Sequence, residues 1–379
     1  MSSLPIIDSL NKFGIELLQK INQNKNQNVV FSPYSAFACL SMLPSLFTNQ
    51  TRNEILKSLQ IPNESKVQID SFLKQVRELY DKEKTEFVSS SNRVWANGKL
   101  NFSPETFAPN SKILGVPIEK VIFPQPGCDK INEDINKTTQ GMIPKIIEPS
   151  DIPVNCAIVL TNAIFFKSRW DEIFVEDPSS KNASTKNFIL SDGKQIHAHM
   201  MESTERQLLY YENKMFQLVC IPYLHHKYDF VVILPKDKSN NGYQNLTKLN
   251  YDQINNEMLK NAKIKVVNLK LPKFEIESQM NLNDILMSLG MKKVFSPDAD
   301  CSDPKVKYFV SLVLQRAKIS VDENGTVASA ATMAMMEEGA CEIGGEPVDF
   351  FADHPFAYIL RNKRSKSFIF EGIVKNPSE

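Results

Sequence analysis

Ile7, Leu10, Phe13, Leu17, Leu18 and Ile21 recur at the three- and four-residue spacing of one helix face, with Asp8 and Ser9 reading as its caps. "SPYSAFACLSMLPSL" and "SKVQIDSFLKQVRELYDKEK" repeat the helical signature, the second with mixed charge on its outer face. From Cys156 onward the pattern changes. "CAIVLTNAIFFK", "YDFVVILP", "KIKVVNLKLPKF" and "YFVSLVLQRAKISV" are runs rich in Val, Ile and Phe, which predict strands. "FAYILR" and "SFIFEGIV" flank "NKRSK" as the two arms of a hairpin. Helical patterns early and strands late predict an α+β domain with large, partly antiparallel sheets.

One stretch fits neither period. "DENGTVASAATMAMMEEGACEIGG", Asp322 to Gly345, separates two strand-like runs and is far longer than an ordinary connection. Its "VASAATMAMMEE" has high intrinsic helix propensity, so the residues alone favour a surface helix. Glu337 and Glu338 would then oppose the macrodipole at that helix's C-terminal end. An extended reading also fits. Thr326, Ala328, Ala330 and Thr332 would face one way and Val327, Ser329 and Ala331 the other, all of them small or β-branched.

The 379 residues suffice for a large core, and no Gly/Ser-rich or single-charge stretch divides them, so one domain over 1–379 is expected. Lys and Arg balance Asp and Glu at 44 each, which gives no reason to expect nucleic acid or an anionic membrane as partner. Glu78, Asp81, Glu83 and Glu86 dilute the bases Lys74, Arg77, Lys82 and Lys84, which weakens a polyanion site there. The six cysteines form no CxxC pair and read as thiols of a reducing compartment. The N-terminus reads as a helix rather than a signal peptide. A cytoplasmic protein, or one exported without a leader, is therefore expected.

Catalytic signatures are absent: no GxSxG, HExxH, GxGxxG or Gly-rich phosphate loop occurs. His197 and His199 form an HxH pair and His225 and His226 are adjacent, but neither has further ligands at metal-site spacing. Cys341 has no neighbouring base to activate it. No enzyme activity, metal or cofactor is expected.

Five segments in order, "NVVFSPYSAFACLSML", "INEDINKTTQGMIPKII", "TNAIFFKSRWDEIF", "LPKFEIESQMNLNDILMSLGMKKVFSPDADCSD" and "HPFAYILRNKRSKSFIFEGIVKNP", resemble motifs of the serpins, a family of protease inhibitors. The resemblance runs over essentially the whole chain. It implies a single domain with three β-sheets, eight or nine helices and an exposed reactive-centre loop at about 323–350. It also implies a monomer that acts as a suicide substrate. A target protease cleaves the loop, remains attached as an acyl-enzyme, and is carried away as the loop's N-terminal part inserts into the main sheet.

The resemblance assigns residues one by one. The hinge would be Glu323, Gly325, Thr326, Ala328, Ser329, Ala330 and Ala331. A polar cluster where the sheet opens would comprise Ser32, Ser35, Asn162 and Gln315, the last where the family usually has histidine, and Trp170 would mark the top of the sheet. Asp134 stands where the family often has Trp, and Ser168 where it often has Gly. The family spacing puts the scissile bond at Gly339–Ala340. Glu338–Gly339 would suit an acid-preferring protease, and Met336–Glu337 a chymotrypsin- or cathepsin G-like one. The implied target is a serine protease of chymotrypsin, cathepsin G or elastase type. The alternatives are a cysteine protease, or a non-inhibitory serpin acting as carrier, chaperone or storage protein.

Overall fold

In the computed structural model, residues 5–23, 27–83, 87–116, 118–174, 185–326 and 346–379 are described. Among them the α-helices are α1 (Pro5–Gln23), α2 (Pro33–Leu40), α3 (Asn49–Ser58), α4 (Ile69–Glu83), α5 (Pro104–Pro109), α6 (Gln125–Thr138), α7 (Asn240–Leu246) and α8 (Asn283–Ser288). The strands are β1 (Val29–Phe31), β2 (Val88–Asn97), β3 (Glu119–Val121), β4 (Ile158–Phe166), β5 (Ser168–Arg169), β6 (Thr185–Ile189), β7 (Gln195–Glu212) and β8 (Phe216–Pro222). They continue with β9 (Tyr228–Pro235), β10 (Lys263–Pro272), β11 (Phe274–Asn281), β12 (Val310–Asp322), β13 (Gly325–Thr326), β14 (Val348–Phe351), β15 (Phe356–Asn362) and β16 (Phe368–Val374).

The apolar face read from the first residues is the buried face of α1, with Leu10, Phe13, Leu17 and Ile21 fully covered. Asp8 and Ser9 do not cap it. The helix starts at Pro5, a residue whose fixed φ suits a first turn. Asp8 instead accepts from Tyr251 Oη, and Ser9 Oγ donates to the Gln60 carbonyl. The strand-rich run after Cys156 and the C-terminal hairpin also form as expected, the latter as β15 and β16. The first third is not purely helical, because β1, β2 and β3 lie in it. β2, "VSSSNRVWAN", shows no clean alternation because it is an inner strand, between β3 and β4.

These strands hydrogen-bond into two sheets. The seven-stranded main sheet runs β3-β2-β4-β12-β13-β5, with β11 on the far side of β12. The nine-stranded sheet runs β1-β16-β15-β9-β8-β7-β10-β14, with β6 also on β7. What the resemblance implies as two further sheets is thus continuous. The 18-residue β7 pairs with β6 over Gln195–His199, with β10 over Met200–Tyr210 and with β8 over Leu209–Glu212.

The larger core fills the space between the sheets and under α1 and α2. A smaller one lies on the other face of the main sheet, where Ile131 and Ile135 of α6 cover Trp95, Val159, Ala163, Leu312 and Leu314. Alternation along β4 and β12 sends Val159 and Leu314 to α6 and turns Asn162 and Gln315 into the larger core. Asp134 of α6 is accommodated by Ser91 Oγ, which donates to it at 2.7 Å, and by the Arg93 guanidinium at 3.3 Å.

Candidate functional site

β4 and β12 are parallel neighbours from Ile158/Val310 up to Phe165/Lys318. Above that point they part. β12 runs on to Asp322, the chain turns through Asn324, and Gly325 and Thr326 come back as β13 between β12 and β5, the two residues that follow β4 after Lys167. On one side Val321 pairs with Thr326 and Asp322 with Gly325; on the other Gly325 pairs with Arg169 and Thr326 with Ser168. The turn is closed by Asp322 Oδ1, which accepts from the Asn324 and Gly325 amides at 2.8 and 3.1 Å. An Asx side chain favours such a reversal. Gly325 has φ +153°, and a Cβ there would lie 2.2 Å from the Ser168 carbonyl oxygen. Only glycine fits.

Thr326 is fully buried, with Oγ1 2.6 Å from Tyr223 Oη. Burial pushes the Tyr223 phenol far up, so it remains a neutral hydroxyl. Tyr223 stacks on Trp170 at 4.4 Å between ring centroids. Trp170 donates its backbone amide to the Asn324 carbonyl at 3.0 Å and its indole Nε1 to the Asp322 carbonyl at 2.8 Å. The Phe174 amide donates to the Glu323 carbonyl at 3.0 Å, and Lys273 Nζ lies 2.5 Å from Glu323 Oε2. Three successive carbonyls of the hinge turn are therefore held by one short segment after β5.

The polar cluster lies elsewhere. Gln315 on β12 is roughly 20 Å from Val321 at the rise of an extended strand. Its Nε2 donates to Asn162 Oδ1 at 2.8 Å and to the Ser32 carbonyl at 3.0 Å, and its Oε1 accepts from the Ser32 amide at 3.1 Å. Ser32 Oγ caps α2 by accepting from the Ser35 amide at 3.1 Å and donates to the Ile369 carbonyl at 2.6 Å. Ser35 Oγ donates to Asn92 Oδ1 at 2.6 Å. Ser32, Ser35, Asn162 and Gln315 thus form one buried network, apart from Trp170, which holds the Asp322–Asn324 turn. A glutamine supplies the donors and acceptor needed here but carries no titratable proton.

Ala328, Ser329, Ala330 and Ala331 of the expected hinge lie outside the described residues. So do Met336, Glu337, Glu338, Gly339 and Ala340, and Cys341. Of the expected loop at about 323–350, Glu323 and Asn324 form the turn, Gly325 and Thr326 are β13, and Val348 to Phe350 lie in β14. Ser168, expected as a local departure, is buried, and its carbonyl oxygen is what approaches Gly325. Sequence reading missed Asp322, Tyr223, Phe174 and Lys273. "DENG" carried a turn signal for Asp322; the other three contacts come from distant segments and left none.

His197 and His199 are exposed on β7, and His226 Nε2 lies 3.4 Å from Asp171 Oδ2. Among the described residues no group of three or more His, Cys, Asp or Glu side chains is arranged to hold a metal. Burial pushes the Cys39 and Cys220 thiols up to about 12 and Cys156 to about 11, leaving them protonated and unreactive. No described helix is long and apolar enough to cross a membrane.

The family model for serpin (serine protease inhibitor) matches residues 8–377. This chain belongs to the serpin family. It is 29% identical over 378 residues to Iripin-2 of Ixodes ricinus, covering 96% of this chain and 91% of that protein. It is 27% identical to leukocyte elastase inhibitor A of Mus musculus, covering 96% and 97%. The structure of Serpin48 from Tenebrio molitor superposes with a TM-score of 0.83 at 23% identity, over 98% of each chain. Serpins are generally protease inhibitors rather than enzymes, although some members do not inhibit. A metastable fold that changes conformation is typical of them.

Proposed function

We propose that this serpin is an inhibitory suicide substrate whose segment after Thr326 is the bait for a serine protease of chymotrypsin, cathepsin G or elastase type. Family spacing from Glu323 favours cleavage at Gly339–Ala340; side-chain chemistry favours Met336–Glu337. Similarity to leukocyte elastase inhibitor A supports the target class.

The observation that carries this reading is β13. Two residues of the segment already pair on both sides between β12 and β5, so strand insertion is an extension of existing pairing. The residues that would follow, Val327 through Ala331, are small or β-branched and uncharged. A proline there would delete a ladder bond and a charge would arrive unpaired in the core. At about 1 kcal/mol net per hydrogen bond, inserting about ten residues would release on the order of 10 kcal/mol. That matches the whole stability of a typical domain, enough to deform a captured enzyme.

The test is incubation with chymotrypsin, cathepsin G and elastase. The expected product is a detergent-resistant complex, with the mass of the released C-terminal fragment identifying the bond. Thr326→Arg should be cleaved at the same bond without forming the complex. Cleavage of the wild type with no complex and no rise in melting temperature would instead assign a non-inhibitory serpin.

A further inference from the structure

Glu371 sits in the middle of β16, opposite Phe31 of β1 and Ile359 of β15, with no exposed surface. Its carboxyl is turned toward the helices. A Cβ built on Gly14 of α1 would lie 2.6 Å from Glu371 Oε1 and 2.6 Å from Pro33 Cβ, in the first turn of α2. Neither carboxyl oxygen has a hydrogen-bond partner.

The ionisable and polar side chains of every element around it are engaged elsewhere. On α1, Asp8 meets Tyr251 Oη, Lys12 stands over the Tyr251 ring, Glu16 accepts from Gln60, and Lys20 acts on Glu16. On α2, Tyr34 packs on Tyr80, and the Cys39 thiol faces the Arg93 and Thr161 carbonyls. β1 has no titratable side chain. On β15, Tyr358 Oη donates to the Val29 carbonyl and Arg361 pairs with Asp229. Burial, unopposed by any of these, pushes the Glu371 carboxyl well above the ordinary range. Glu83, the other buried glutamate among the described residues, differs in accepting hydrogen bonds from Asn362, Ser365 and Ser367.

We propose that Glu371 is a buried proton-binding site, held as the neutral acid between α1, α2 and β16, whose ionisation loosens both helices and the α2 cap that joins the seam of the main sheet. The link to the seam is short. Ser32, the α2 cap, donates to the carbonyl of Ile369 on the same strand and exchanges hydrogen bonds with Gln315.

The sign follows from proton linkage. The native chain keeps a proton that the unfolded chain releases above about 4.5, the ordinary value for this carboxyl. Stability is therefore greatest below that pH and falls as pH rises, by up to about tenfold in the unfolding equilibrium per pH unit, until the native acid itself ionises.

Chemical unfolding of the full chain, of Glu371→Gln and of Glu371→Met between about pH 5 and about pH 9 reads this directly. Relative to Glu371→Gln, the wild type should lose stability progressively as pH rises through the range, by up to about tenfold in its folding equilibrium per pH unit. Glu371→Met should share the flatter profile, which supplies the comparison if the amide variant does not fold. Amide exchange at Ser32 and Ser35 should accelerate with pH beyond its intrinsic rate in the wild type and not in the variants. Parallel stability curves for wild type and variants would overturn the proposal; exchange that rises equally in all three would overturn the link to the seam. Neither readout involves a protease, so the outcome is separable from that of the inhibition test.

Discussion

At its upper end the β4–β12 seam is parted by Gly325 and Thr326, whereas lower down the same strands touch and are stitched by Gln315 and Asn162. Both ends are buried and hydrogen-bonded, but they would respond differently to an added strand. Neighbouring strands lie roughly 4.8 Å apart, so a strand between them widens the gap to roughly 10 Å. A bond such as Gln315 Nε2 to Asn162 Oδ1, 2.8 Å long and directly across the seam, cannot survive that. The upper contacts can, because the carbonyls of Asp322, Glu323 and Asn324 are held by the Trp170–Phe174 segment from the side. On the proposed reading, the upper end would serve as a guide and the lower end as a lock.

Gln315→Leu should break that contrast most strongly. It leaves the Ser32 amide and Asn162 Oδ1 unpaired in the core, while the Ser32 carbonyl keeps only the Ala36 amide, at a combined cost of about 2–4 kcal/mol. Denaturant unfolding measures the loss; a change below about 1 kcal/mol would mean the network does not hold the seam. Gly325→Ala acts on the guide. The added Cβ meets backbone at 2.2 Å in a conformation that L residues avoid, which should cost about 2–3 kcal/mol or expel β13 from the sheet. Thermal unfolding reads the first outcome, and faster amide exchange at Thr326 the second.

How much of this was legible depended on whether partners were close in sequence. α1 buries a face that repeats at helical spacing, while β9, β15, β16 and the first half of β12 are buried at every position and read as continuous apolar runs, so their patterns sufficed. β2 was not legible, because Ser89, Ser90 and Ser91 mark no apolar face. The strand is fixed by β3 and β4 on its edges, and Ser91 by Asp134 of α6. The Asp322–Thr326 turn was singled out through family motifs, and "DENG" is a local turn signal. Its stabilisers were not, since Tyr223 and Lys273 reach it from segments whose own patterns say only strand end. That Trp170 holds the Asp322 and Asn324 carbonyls was not legible either, because motif order carries no distance. The register of β12, which separates Gln315 from the hinge, is fixed only when β4 pairs with it.

Thr326→Val sharpens the upper end more finely. Valine keeps the shape but strands the Tyr223 hydroxyl in the core, so a loss of about 1–2 kcal/mol is expected. Tyr223→Phe, which removes the other partner, should lose less in the Thr326→Val background than alone. The coupling from the double-mutant cycle should be about 1 kcal/mol, and a value near zero would assign the losses to packing rather than to the hydroxyl pair.

Glu323→Gln should have the smallest effect, and its smallness is informative. The Glu323–Lys273 pair lies at the rim, with side chains 20% and 35% exposed, so water and salt already screen it. The amide keeps the backbone carbonyl that Phe174 holds and removes only the charge. A loss of no more than about 1 kcal/mol is expected, shrinking further in high salt. If the loss instead matched that of Gly325→Ala, charge rather than backbone pairing would hold the guide open. Extending β13 would then require breaking an ion pair at the mouth of the seam, and the contrast with the Gln315 lock would disappear.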